Sequence, residues 1–246
     1  MENLDSYKEA YNQSFNFYDE NQWYLAQYAK YLCAKITDTK ASSILSLGIG
    51  HSVVSNSIIQ LLNTGNIQYD IVEGSPDIIN KFNATYHNIS MKVYESYFET
   101  FTPDKKYDAI EMGFVLEHVD DPLLVLKKFK NFLNDNGTMF IAVPNAKSLH
   151  RLIGHHAGLL PDMYKLSKYD LELGHKRYFD LDSITNLATE AGLRVTMQRG
   201  LMLKPITGEQ MKKLDWQKNI IDALFIVGEH YPEISNCIYL EAVINK

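Results

Sequence analysis

The stretch Ser43–Ser52, SILSLGIGHS, joins a short apolar segment to a turn that contains two glycines. Ser43–Leu47 has the length and apolar character of a buried strand. Gly48 and Gly50 follow it directly, and apolar residues then recur at helical spacing from Val54 onward. Glycines let the backbone come close to a ligand, and the amino end of the following helix is electropositive. The stretch therefore predicts a strand, a ligand-binding turn and a helix.

Strand and helix patterns alternate along the chain after this turn. The strand candidates that follow are Ile67–Val72, Lys92–Tyr94, Tyr107–Met112, Thr138–Val143, Leu193–Met197 and Cys237–Ile244. Helices are predicted between them. The helix that opens at Asp121-Pro122 is expected to end at Asn134–Gly137, and the last one to contain Trp216. The alternation is typical of an α/β fold, a doubly wound, mostly parallel sheet that helices cover on both faces.

Two segments lie outside the alternation, and the sequence predicts one domain that carries both as additions. Residues 1–40 have no strand signal and are rich in aromatic residues at helical spacing. This N-terminal segment is interpreted either as a helix packed on the domain or as a helical lid over a pocket. Residues 144–179 have no clean period and are interpreted as an insertion of loops and short helices after the fifth strand.

Composition restricts the class of protein. The 246 residues are 46% hydrophobic and 22% charged, which indicates a globular domain. The net charge of −6 argues against a general nucleic-acid binder, and 2 cysteines are too few for a disulfide framework. The start of the chain has no targeting pattern, and no apolar stretch is long enough to span a bilayer. A soluble cytoplasmic protein without membrane partners is expected, of unspecified oligomeric state.

The residues at the predicted strand ends favour one kind of cofactor. Glu73 ends the second strand, where a carboxylate can accept hydrogen bonds from both hydroxyls of a ribose. Val53 stands where a dinucleotide-binding turn needs its third glycine, which disfavours a nicotinamide oxidoreductase. No Gly-Lys-Ser/Thr follows the turn, so a nucleoside triphosphatase loop is absent. An adenosine cofactor without phosphates fits best.

Several segments together resemble the motifs of class I S-adenosylmethionine-dependent methyltransferases. They are Ile44–Ser52, Glu73, Ser96–Glu99, Tyr107–Ile110 followed by Val115–Val119, Phe140–Asn145, and Gly174–Phe179 before a helix that ends in Glu190-Ala191-Gly192. The resemblance covers residues 42–200 and points to a small-molecule branch that includes phosphonate and sugar O-methyltransferases. It implies a seven-stranded Rossmann-like sheet with an antiparallel last strand, and S-adenosyl-L-methionine as the cofactor.

The resemblance also implies roles for single residues. Glu73 holds the cofactor ribose, and the segment after the third strand holds the adenine. Ser46 stands where an acid usually orders the glycine turn and faces the methionine amino group, and Ser52 replaces the usual third glycine. The loss of the acid at position 46 has three alternative consequences: weaker cofactor binding, a rearranged contact, or a degenerate copy without activity. The expected cofactor-binding residues are Gly48, Gly50, Glu73, Gly74, Tyr97, Phe98, Glu99 and Met112.

Direct methyl transfer requires that the protein align the acceptor, exclude water and remove a proton. His118 follows the fourth strand and is either the general base or a structural histidine that shapes the cofactor pocket. Tyr24 is the second catalytic candidate, because its hydroxyl can orient an acceptor oxygen. Tyr18 and Trp23 are expected to close over cofactor and acceptor.

Basic residues concentrate in the insertion and predict the nature of the acceptor. His150, Arg151, His175, Lys176 and Arg177 are expected to bind an anionic group, with Lys204 after the sixth strand. Alternatively, the basic residues of the insertion form a solvent-exposed face that binds no ligand, and Lys204 is an ordinary surface lysine. A zinc site from His150, His155, His156 and His175 is disfavoured, because no cysteine or suitably spaced acid accompanies these histidines, and no metal is expected. The sequence thus predicts O-methylation of a small anionic or sugar-like metabolite. N-methylation of a small metabolite and a degenerate cofactor-binding protein are the alternatives.

Overall fold

The computed structural model describes residues 4–5, 11–62, 67–86, 89 and 91–246. The described residues form one seven-stranded sheet in the order β3-β2-β1-β4-β5-β7-β6. Neighbours among the first five strands pair in parallel, and β7 runs antiparallel between β5 and β6. The predicted seven-stranded, mostly parallel sheet is confirmed. The strands are β1 (Ser43–Leu47), β2 (Gln68–Glu73), β3 (Lys92–Glu95), β4 (Tyr107–Gly113), β5 (Leu133–Pro144), β6 (Leu193–Leu201) and β7 (Cys237–Ile244).

Helices cover both faces of the sheet, as the alternation predicts. Apolar side chains of α1, α2 and α3 pack on one face, and those of α4 and α7 pack on the other. No helix within the described ranges is long and apolar enough to cross a bilayer. The helices are α1 (Tyr18–Thr39), α2 (Val53–Leu62), α3 (Pro76–Thr85), α4 (Pro122–Lys130), α5 (Leu149–His156), α6 (Lys168–Glu172), α7 (Leu181–Glu190), α8 (Gly208–Lys213) and α9 (Lys218–Gly228).

Two predicted helix boundaries are wrong. Helix α4 ends at Lys130, and Leu133 already begins β5 by pairing with Tyr107 of β4. Backbone pairing with a distant strand therefore overrides the helical spacing that extended the prediction to Asn134. Trp216 precedes α9, and it packs against the apolar core from the turn before that helix.

Helix α1 holds the N-terminal segment against the sheet. Its residues Tyr28 and Leu32 are fully buried in the core, so the body of the helix is a packed element of the fold. Its first turns reach the carboxyl ends of the parallel strands, where Glu20 and Tyr24 face a cavity. Residues 11–17 form turns before the helix, and residues 1–3 and 6–10 of the predicted lid lie outside the described residues. The lid function remains a prediction.

Candidate active site

A cavity of about 1040 Å³ opens at the carboxyl ends of β1, β2 and β4. This is the place where doubly wound sheets bind their ligands. The strand tips form one part of the wall, the first turns of α1 form another, and the insertion with the segment before α8 closes the rest. The volume lies at the upper end of the range for ligand pockets, so the cavity has room for a cofactor together with an acceptor.

The glycine turn and Glu73 form the cofactor end of this cavity. Gly48 has a φ of +91° and Gly50 a φ of +51°, a left-handed conformation that glycine adopts without strain. The Glu73 carboxylate accepts a hydrogen bond from the Ile49 N–H at 3.0 Å and one from the Ser75 N–H at 2.8 Å. Burial raises the pKa of Glu73 above its usual range. The carboxylate keeps free lone pairs on both oxygens, so it can accept hydrogen bonds from two ribose hydroxyls.

The predicted adenine wall lies on the other side of the turn. Tyr97, Phe98 and Glu99 follow β3 and line the cavity, as does Gly74. The ring of Phe98 faces Gly48, since a Cβ built on that glycine would lie 3.9 Å from it. Met112 does not reach the cavity and is fully buried in the core. Successive residues of a strand point to opposite faces, so its neighbours Glu111 and Gly113 line the cavity instead.

The two catalytic candidates both face the cavity. Burial and the neighbouring charge of His175 lower the pKa of His118 to about 3, so its imidazole is neutral near pH 7. The rings of His118 and His175 lie edge to face, with centroids 4.8 Å apart. The Tyr24 hydroxyl donates to Glu20 Oε1 at 2.8 Å, and burial raises its pKa well above the usual value. Tyr24 is therefore a neutral hydrogen-bonding group that is already engaged within α1.

Glu117 is a site residue that the sequence reasoning missed. It is fully buried on the cavity wall, and neither carboxylate oxygen has a hydrogen-bond partner in another described residue. Burial raises the pKa of Glu117 to about 7. Single ligand atoms of Glu117, His118 and His175 lie within 4.8 Å of one another, an arrangement that can hold a metal ion. Two sequence features could have pointed to Glu117: the Glu-His pair in the fourth-strand motif and the histidine of the Gly174–Phe179 motif.

Five of the six predicted anion-binding residues, all except Arg177, line the same cavity, but most of their polar groups are already engaged within the protein. Arg151 donates to the Met163 and Lys165 carbonyl oxygens and stacks on the Tyr178 ring. Lys204 forms a buried ion pair with Glu20 of α1. His175 Nδ1 lies 3.2 Å from Asp170 Oδ1, and the other two residues of this group are also engaged or neutral. Lys176 pairs with Asp120 at 2.6 Å, and burial lowers the pKa of His150 to about 3.

Arg177 and two aromatic residues lie away from the cavity wall. Arg177 donates to the carbonyl oxygens of Leu116, Val119 and Asp120, so it holds the turn after β4. Trp23 is 41% exposed, because its side chain points to the outer face of α1. Tyr18 packs edge to face on His51, with ring centroids 5.4 Å apart. None of these three residues lines the cavity, and their contacts with cofactor or acceptor stay predictions.

The contacts of Arg177 predict a stability effect for Arg177→Ala. Loss of these charge-assisted hydrogen bonds is expected to cost about 2 kcal/mol and to lower the melting temperature by roughly 4–8 °C. Calorimetry measures this change, with Arg194→Ala, an exposed arginine on β6, as the matched control. A normal melting temperature together with a selective rise in the acceptor KM would instead restore Arg177 as an acceptor-binding residue.

Comparisons with known proteins agree with this geometry. A family model described as a methyltransferase domain matches residues 18–198. Histamine N-methyltransferase of Danio rerio is 28% identical over 112 residues, which cover 45% of this chain and 38% of that relative. The chain thus spans less than half the length of this curated relative.

Solved structures of methyltransferases share the fold. The plantazolicin methyltransferase BamL, crystallised with a triazolic desmethylPZN analog and SAH, superposes with a TM-score of 0.63 at 15% identity over 98% of this chain and 91% of that one. A S-adenosylmethionine-dependent methyltransferase from Clostridium acetobutylicum has a TM-score of 0.58 at 8% identity, covering 89% and 92%. Because the family model matches most of the chain, the protein belongs to the methyltransferase domain family and is a class I S-adenosylmethionine-dependent methyltransferase.

Proposed function

We propose that this methyltransferase transfers the methyl group to a nitrogen atom of a small amine or nitrogen heterocycle. The observation that supports this most is Glu117, a buried carboxylate on the cavity wall without a partner among the other described residues. An ionised carboxylate is costly to bury unless a cation or a hydrogen-bond donor faces it. A protonated amine or an N–H of the acceptor supplies that partner.

The charges around the cavity support the same acceptor class. Among the described residues that line it, Arg151 is bound to carbonyl oxygens, while Lys176 and Lys204 are paired with carboxylates. Neither Glu111 nor Glu117 forms an ion pair with a described residue, although His175 and Arg177 lie close enough to lower the pKa of Glu117. An anionic acceptor would bring a further negative charge beside these carboxylates, whereas a cationic one is attracted to them.

The chemistry of N-methylation requires a free lone pair on the acceptor nitrogen. When bound, S-adenosylmethionine supplies an electrophilic methyl group on a sulfonium centre that leaves as a neutral thioether. Glu117 accepts the proton of an ammonium acceptor, and its pKa of about 7 is suited to a base that works near neutral pH. His118 is neutral and offers a hydrogen-bond acceptor beside it. The surrounding wall excludes water and holds the nitrogen in line with the methyl group.

Two relatives support a small nitrogen-containing acceptor. Histamine N-methyltransferase of Danio rerio is named for an amine acceptor, and BamL was crystallised with an azole compound. The basic residues of the insertion and the family resemblance instead favour O-methylation of an anionic or sugar-like metabolite. The engagement of Arg151 and Arg177 with carbonyl oxygens removes the main support for that acceptor.

Matched pairs of acceptors test the proposal. Histamine and 2-phenylethylamine are compared with their alcohol analogues, and glucose 6-phosphate serves as an anionic sugar. The measurement is S-adenosylhomocysteine release, with mass spectrometry to locate the new methyl group. Methylation of the amines with far slower turnover of the alcohols and the sugar phosphate is expected. Preferred methylation of a hydroxyl would contradict the nitrogen acceptor.

A parallel series with EDTA and with added Mg²⁺ or Zn²⁺ asks whether Glu117 and its two histidines act through a metal ion. Turnover that does not change on chelation is expected if Glu117 acts as a base. Loss of turnover on chelation and its recovery with one of these ions would assign the cluster to a metal instead. The class of enzyme does not depend on this result.

A further inference from the structure

Glu111 is a further buried carboxylate on the cavity wall, and the proposed methyl transfer does not use it. It lies near the carboxyl end of β4, is 3% exposed, and lines the cavity. In the register between β1 and β4 it stands directly beside Ser46. Paired residues of neighbouring strands point to the same face of a sheet. The Glu111 carboxylate therefore lies one strand away from the position at which the resemblance implies an acid.

The groups around Glu111 hold its carboxylate in place without neutralising it. The Gly113 N–H donates to Glu111 Oε1 at 2.7 Å, and the hydroxyls of Ser46 and Tyr28 lie close enough to favour the charged form of the carboxylate. Ser46 Oγ accepts from the Tyr69 hydroxyl at 3.0 Å, which leaves its own hydrogen for Glu111. All these donors are neutral, and no cation in the described part of the chain forms an ion pair with Glu111.

The position of Glu111 along the sheet matches the length of the cofactor. Glu73 ends β2, the glycine turn follows β1, and Glu111 lies near the end of β4, so the three features occupy neighbouring strands. Strands are about 4.8 Å apart, which places the β4 tip about 10 Å from the β2 tip. With its ribose at Glu73, the cofactor extends its amino-acid chain across β1 toward β4. The charged end of that chain thus arrives near Glu111.

We propose that Glu111 binds the α-ammonium group of the cofactor's amino-acid part, and that Ser46 orients its carboxylate. A small residue at position 46 leaves room for the longer side chain from the neighbouring strand. The carboxylate remains available at the same level of the sheet, so the change at Ser46 is a rearranged contact rather than a loss of function. This inference concerns the cofactor only and does not depend on the nature of the acceptor.

A pair of ligands separates this role from a structural one. S-Adenosylhomocysteine carries the ammonium group, whereas 5′-methylthioadenosine has the same adenosine and thioether without the amino-acid part. Glu111→Gln keeps the size of the side chain and removes its charge. We expect it to weaken S-adenosylhomocysteine roughly 10- to 100-fold in titration calorimetry and to leave 5′-methylthioadenosine unchanged. Glu73→Gln, in contrast, is expected to weaken both ligands, because both contain the ribose.

A relocated carboxylate provides the rescue. Ser46→Asp in the Glu111→Gln background returns a negative charge to the same level of the sheet, and partial recovery of S-adenosylhomocysteine affinity is expected. Equal weakening of both ligands by Glu111→Gln, or no weakening of either, would overturn the proposal. Melting temperatures of the variants confirm that they are folded.

A measurement on the unaltered protein gives an independent readout. Burial raises the pKa of Glu111 to about 7, so at pH 6 the carboxyl is mostly protonated before the ligand binds. The titratable groups that face it are Tyr28 and Tyr69, and burial raises the pKa of each, so both stay neutral. Binding of the ammonium group then releases a proton, which calorimetry in buffers of different ionisation enthalpy detects. Equal proton release with 5′-methylthioadenosine would count against Glu111 as the partner.

Discussion

Glu73→Ala is expected to lower the affinity for S-adenosylhomocysteine roughly 100- to 1000-fold, from the loss of two or more charge-assisted hydrogen bonds. The carboxylate has two functions in this structure. It fixes the glycine turn through the N–H groups of Ile49 and Ser75, and it presents free lone pairs at the point where a ribose is expected. Alanine removes both, so the turn loses its anchor and the sugar loses its acceptor.

Titration calorimetry measures this effect, and Glu95→Ala is its matched control. Glu95 pairs with Glu73 in the register between β2 and β3, but it is exposed and does not line the cavity. Its removal is expected to change the affinity by less than about twofold. A folded Glu73→Ala protein that binds S-adenosylhomocysteine normally would show that the ribose lies elsewhere.

The second large effect is expected at Glu117. Loss of a positioned general base usually slows a reaction about 100- to 10000-fold, and Glu117→Gln is expected to lower kcat with amine acceptors within that range. The variant keeps the shape of the side chain, so the affinity for S-adenosylhomocysteine is expected to stay within about twofold. Glu172→Gln, on the exposed side of α6, is the matched control and should retain full activity.

The pH dependence of turnover shows whether Glu117 accepts a proton or only attracts a cationic acceptor by its charge. Glu117 is protonated below its pKa of about 7 and accepts a proton only above it, so turnover of the wild type rises as the pH increases through this value. The charged and titratable groups that face it are His118, His175, Arg177 and Asp170. Saturating S-adenosylmethionine keeps the cofactor contacts constant. If Glu117→Gln retains the same pH profile, another group provides the base.

Much of the fold follows from local sequence patterns. The strand Ser43–Leu47 is identical in prediction and structure, because a short apolar run followed by glycines has few alternatives. The predicted Cys237–Ile244 strand is equally accurate. The local pattern predicts a helix at Leu133, and this is wrong because the residue pairs with Tyr107 of another strand. The turn between Gly48 and Gly50 was predictable for the same reason as the first strand, namely that its conformation is a property of adjacent residues.

Local sequence patterns are enough to predict the succession of strands and helices along the chain, the glycine turn and the carboxylate at the second strand tip, because each depends on neighbours in the chain. The charge of the cavity depends instead on contacts between distant residues. Lys204 pairs with Glu20, 184 positions away, and Arg177 binds the Leu116 carbonyl, 61 positions away. The fold also buries Glu111 and Glu117 without an ion pair to any described residue. The partners of a charged side chain come from distant parts of the chain, so the sequence shows that a charge is present, and the fold decides whether it is available to a ligand.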